Sequence, residues 1–97
     1  MEIEGIKKEI EKILKSELSN TGFSAFFFGS RVTGTHNPTS DLDVGIEGDL
    51  PVPENILRSI KARVANIPSL YTVDVVDFSL IGENFKKVAK EKIERIV

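Results

Sequence analysis

Residues 29 to 46 read "GSRVTGTHNPTSDLDVGI": a turn rich in Gly, Ser and Thr, a loop at "THNPT", and then an alternating segment that begins at Asp41. Leu42, Val44 and Ile46 fall on one side of a strand, and Asp41, Asp43 and Gly45 on the other. Two carboxylates therefore share a strand face, where like charge and lost hydration both oppose ionisation. Side chains such as Ser40 and Asp41 often cap a turn by bonding the backbone, which accounts for one aspartate. A divalent cation accounts for both, because hard oxygen ligands two residues apart on a strand can share one Mg²⁺ or bridge two. The local pattern leaves both readings open.

Outward from this stretch the periodicities are clear. Upstream, Ile3, Ile6, Ile10, Ile13, Leu14 and Leu18 recur at helical spacing among Lys and Glu, and "SNTG" stops the helix. "FSAFFF", residues 23 to 28, suits a strand buried on both faces that ends at Gly29, and a short helix is expected from Ser30. Downstream, "EGDLPVP" is a connector. Pro53 then opens a helix carrying Ile56, Leu57, Ile60, Val64 and Ile67, which Pro68 stops. "YTVDVVDF" predicts a third strand, with Tyr71, Val73 and Val75 on one face and Asp74 and Val76 on the other. Phe85, Val88, Ala89, Ile93 and Ile96 predict a last amphipathic helix. The expected order is αβαβαβα: an α/β (α+β) fold in which a small mixed β-sheet is flanked by helices.

The 97 residues suffice for one domain, spanning 1–97, with one modest core and no separate substrate-recognition module. A net charge of −2 supplies no general attraction to nucleic acid or an anionic membrane, so neither is expected as a partner. No segment approaches the roughly 20 apolar residues of a membrane span, and the charged N-terminus is unlike a signal peptide. The absence of Cys removes disulfides and thiolate metal sites and fits a reducing cytosol, so a cytoplasmic location is expected.

Two familiar ligand loops fail on inspection. "DLDVGIEGDLPV" starts like a calcium loop, but Gly45 stands where a third ligand is due and Val52 where a bidentate Glu belongs. "GSRVTGTH" has the glycine separation of a P-loop, but Thr35 replaces the lysine that carries the phosphate charge. What remains is a strand ending in Gly29 and Ser30 at a helix start, where backbone N–H groups and a hydroxyl can hold phosphate oxygens. His36 reads as a solvated loop residue, and Phe26, Phe27 and Phe28 as core.

A phosphate-cradling turn, two aspartates on the next strand and a third carboxylate, Asp74, on a later one resemble the active site of the DNA polymerase beta nucleotidyltransferase superfamily. Its signature of Gly-Ser, a spacer with Gly, Ser-Asp-x-Asp and a distant acid is met by Gly29, Ser30, Gly34, Ser40, Asp41, Asp43 and Asp74. The order of elements over the whole chain is similar to that of its smallest members, the minimal nucleotidyltransferases. The chain departs from many relatives at Thr33, where they carry a basic residue; Arg31 is the nearest cation.

The resemblance implies a nucleotidyltransferase that uses ATP and two Mg²⁺ ions held by Asp41, Asp43 and Asp74, with Asp74 completing the nucleophile side and accepting the proton. Gly29 and Ser30 would hold the β- and γ-phosphates. Strand alternation favours Asp74 over Asp77 for the third carboxylate. The resemblance also implies a small all-helical partner of the HEPN or substrate-binding kind, in a toxin-antitoxin pair where the transferase modifies its partner. A homo-oligomer or hetero-oligomer would serve. The alternatives are an inactive antitoxin that neutralises its partner by occlusion, and a transferase acting on a small molecule.

Overall fold

The computed structural model describes residues 3–29, 42–69 and 71–97. Ser30, Gly34, Ser40 and Asp41, along with Arg31, Thr33, His36 and the short helix expected from Ser30, lie outside the described residues. The order is α1 (Ile3–Leu18), β1 (Ser24–Phe28), β2 (Leu42–Glu47), α2 (Glu54–Ala65), β3 (Val73–Asp77), a 3₁₀ turn (Phe78–Leu80), α3 (Glu83–Ala89) and β4 (Glu94–Arg95). The sheet order is β3-β2-β1-β4. β1 is antiparallel to β2 and β4, and β2 is parallel to β3, so the sheet is mixed as the sequence predicts.

The alternation read from the strands divides the apolar residues between two faces. On one face Ala25, Phe27, Leu42, Val44, Ile46 and Val75 pack against Ile6, Ile10, Ile13, Leu14 and Leu18 of α1 and Ile60 and Val64 of α2. Burying each of the larger side chains contributes about 1.5–3 kcal/mol, so this layer supplies most of the driving force. A hydrogen bond from Ser59 Oγ to Glu17 (2.6 Å) and an ion pair from Arg63 to the same carboxylate (3.0 Å) tie α2 to α1. Asp77 lies on this side. It is 8% exposed and accepts bonds from the backbone N–H of Val52 (2.8 Å) and from the N–H and hydroxyl of Ser79 (3.0 and 2.6 Å).

On the opposite face Phe26, Phe28 and Phe78 form a separate cluster joined by Val76, Ile81, Ala89 and Ile93. The Phe78 ring meets those of Phe26 and Phe28 edge-on at centroid distances of 5.0 Å. Gly45 makes this possible, because a Cβ there would stand 2.5 Å from the Phe26 ring and 2.8 Å from Phe78. Lys86 and Lys90 pair with Glu47 (3.8 and 2.6 Å) and hold α3 to the end of β2.

The C-terminal segment departs from expectation. α3 stops at Ala89, and residues beyond it form β4, in which Glu94 and Arg95 pair with Phe27 and Phe26. Bonds between Ala25 and residues 96 and 97 (2.8–3.2 Å) extend the ladder. Ile93 and Ile96 are three residues apart, which on a helix puts them on one side and on a strand on opposite sides. Ile93 joins the aromatic cluster and Ile96 the main core, so they need the strand. The unpaired edge of β1 overrides a weak helical pattern. Among the described residues no helix is long and apolar enough to cross a membrane.

Candidate active site

The predicted site residues that the structure describes are Gly29, Asp43 and Asp74, and all three line one groove. They come from the C-terminal end of β1 and the N-terminal ends of β2 and β3. Asp43 stands opposite Phe28 in the antiparallel pair and opposite Asp74 in the parallel pair. A bond from Leu42 N–H to the Thr72 carbonyl (2.9 Å) fixes that register one step before the aspartates. Neighbouring strands lie about 4.8 Å apart, so two side chains in register on one face bring their carboxylates within reach of a common ion. Asp43 is half-buried and Asp74 exposed, and Asp74 makes no hydrogen bond or ion pair with the described residues.

Gly29 is glycine for two reasons. Its φ of +83° is a left-handed conformation, and a Cβ there would collide with the Asp43 carboxylate. The chain therefore leaves β1 with its backbone pressed against the Asp43 carboxylate, beside the groove. Asp77, the competitor for the third carboxylate, has both oxygens engaged by Val52 and Ser79 on the other side of the sheet. It braces the connector before α2 and stands away from the groove.

The described donors are hard carboxylate oxygens, which suit Mg²⁺. Among the described residues no group of three or more acidic or imidazole side chains is assembled. Asp43 and Asp74 are the expected metal-binding residues that fall among the described ones.

The groove extends beyond the carboxylates along the second face of the sheet, with a volume of about 730 Å³. Phe28 and Val76 form its floor, Phe85, Val88 and Ala89 of α3 one wall, and Glu91 and Lys92 its rim. Phe85 and Val88 read in sequence as the apolar face of a packed helix, yet they are 55% and 66% exposed. No sequence signal separates a helix face that packs on the core from one that lines a groove; the shortness of α3 and the position of β4 decide it.

Among curated proteins no significant match was found. Among solved structures, a chain of a crystal structure described as a toxin-antitoxin with AMP-PNP superposes with a TM-score of 0.71 at 17% identity, covering 94% of this chain and 72% of that one. That likeness confirms the fold. The family model of the nucleotidyltransferase domain matches residues 7–97, which include the β1 turn, the Asp43–Asp74 pair and β4. The chain belongs to the nucleotidyltransferase domain family, of the DNA polymerase beta type that its motif resembles.

Proposed function

We propose that this chain is an Mg²⁺-dependent nucleotidyltransferase that moves AMP from ATP onto a hydroxyl of a partner protein, as the antitoxin of a pair with a small helical HEPN-like protein. The observation that carries the reading is the register of Asp43 with Asp74 at the mouth of a groove closed on one side by Gly29. Family membership supports nucleotidyl transfer, and the similar toxin-antitoxin structure with AMP-PNP supports both ATP as donor and a protein partner.

Asp41, Asp43 and Asp74 are the residues that would hold Mg²⁺, which when bound neutralises triphosphate charge and lowers the pKa of an attacking hydroxyl. The backbone at Gly29 and the Ser30 hydroxyl would hold phosphate oxygens, and Gly34 and Ser40 complete the nucleotide-binding motif. Asp74 accepts the proton of the acceptor hydroxyl, as its exposed position permits. The acceptor oxygen bonds to the α-phosphorus as the bond to pyrophosphate breaks. Docking of the partner supplies the alignment that so small a domain cannot impose on a free acceptor.

The test is to purify the chain and the product of the adjacent gene separately, mix them with ATP and Mg²⁺, and weigh the partner by intact mass spectrometry. Addition of one or more AMP units, absent with Asp43→Asn, is expected. Tight association and neutralisation without a mass change would assign the chain to occlusion.

A further inference from the structure

We propose that the groove between the Asp43–Asp74 pair and α3 is the nucleobase subsite of the transferase, with Phe85 as its stacking platform, and that it selects purines over pyrimidines by contact area. This rests on the nucleotidyl-transfer reading above. The α-phosphorus bears the nucleoside directly, so the base lies within a sugar's length of the two carboxylates. Asp43 and Asp74 form one end of the groove, and the surface leading away from them is apolar: Phe28, Val76, Phe85, Val88 and Ala89.

Phe85 carries the argument furthest. It leads a helix in which no residue is buried, is 55% exposed, and rests against the Phe78 ring at a centroid distance of 6.4 Å. An aromatic ring braced from behind and bare in front can take a planar ring, and base stacking on such a side chain is tolerant of base identity. The exposed wall is about one turn of helix, far smaller than the roughly 800 Å² that each partner contributes to a stable protein interface. A base fits that scale and a protein surface does not.

The lining also limits what can be read. Away from the carboxylates its polar side chains are Glu91 and Lys92, both exposed charges at the rim. No amide or hydroxyl side chain among the described lining residues is placed to read a base edge. The larger purine ring covers more of this apolar platform than a pyrimidine does, so purines gain through area.

The experiment is calorimetric titration of the full chain, in Mg²⁺, with ATP, GTP, UTP and inorganic tripolyphosphate. Wild type is compared with Phe85→Ala, Phe85→Trp and Val88→Ser, and urea unfolding monitors each fold. Expected is weaker binding of UTP than of ATP or GTP. Phe85→Ala should lose about tenfold for ATP with tripolyphosphate unchanged, Val88→Ser less, and Phe85→Trp nothing. ATP affinity indifferent to Phe85→Ala overturns the subsite, as does equal weakening of ATP and tripolyphosphate. A raised KM for the partner protein with unchanged ATP affinity overturns it too and gives the groove to the acceptor. Failure of wild type to bind either ATP or tripolyphosphate overturns the nucleotidyl-transfer reading itself, and the subsite with it.

Discussion

The backbone of Gly29 lies so close to Asp43 that a Cβ at position 29 would collide with the Asp43 carboxylate. The Asp43 carboxylate is thus accommodated by the absence of a side chain across the sheet. Gly29→Ala should act twice, through the clash and through strain at φ +83°, which costs a non-glycine residue about 1–2 kcal/mol. The expected result is a lowered urea midpoint together with a loss of Mg²⁺-dependent ATP binding. A midpoint shift with ATP binding intact would show that the carboxylate tolerates displacement.

The two acids of β3 should separate cleanly. Asp74→Asn removes an exposed carboxylate with no described partner, so stability should change by less than about 0.5 kcal/mol while single-turnover transfer is lost and much of the ATP affinity survives. Asp77→Ala leaves the Val52 N–H and Ser79 without their acceptor in a buried place, and should cost about 1–3 kcal/mol without a direct effect on transfer. Urea unfolding and single-turnover assays of both variants provide the check. The reverse pattern would exchange the roles of the two residues.

How far the sequence discloses this molecule can be seen at particular positions. Period-two alternation correctly separates Asp74 from Asp77, because a sheet with a core on each side forces successive residues to opposite faces. The core face of α1 is legible for the same reason, with Ile6, Ile10, Ile13, Leu14 and Leu18 all buried. The end of the chain is less so. Ile93 and Ile96 fit a helix locally, and only the open edge of β1, a long-range fact, makes them a strand. Gly45 is similarly opaque, since its neighbours Phe26 and Phe78 are distant in sequence and their convergence is set by the 3₁₀ turn after β3. Asp41, Ser30, Gly34 and Ser40 fall outside the described residues, so their site roles rest on the motif.

That convergence at Gly45 makes a prediction of its own. Gly45→Ala should destabilise by about 1–3 kcal/mol, because the added methyl meets two rings that are already packed edge to face. Combining it with Phe26→Leu, which removes the nearer ring, should cost less than the sum of the two single changes. Strict additivity in a double-mutant cycle of urea midpoints would mean that the strand shifts to absorb the methyl.

The acid limb of stability should report the contact between α1 and α2. The Ser59 hydroxyl is the largest cause that holds the Glu17 carboxyl below the usual glutamate range; burial opposes it, and the Arg63 guanidinium adds to the lowering by hydrogen bond and charge. A carboxyl whose folded pKa is depressed contributes its stability in full above the unfolded value, about 4.3, and loses it as pH falls through the folded one. Glu17→Gln should therefore lower the urea midpoint modestly at pH 7, by the equivalent of less than about 1 kcal/mol since the pair is partly open to solvent. At pH 3 the gap to wild type should narrow. Ser59→Ala and Arg63→Gln should each shrink the pH-dependent part of that gap, because both partners hold the carboxyl down. Paired urea titrations at pH 7 and pH 3 test this, and a gap that stays constant with pH would show that Glu17 supports the helix pair by packing and not by charge.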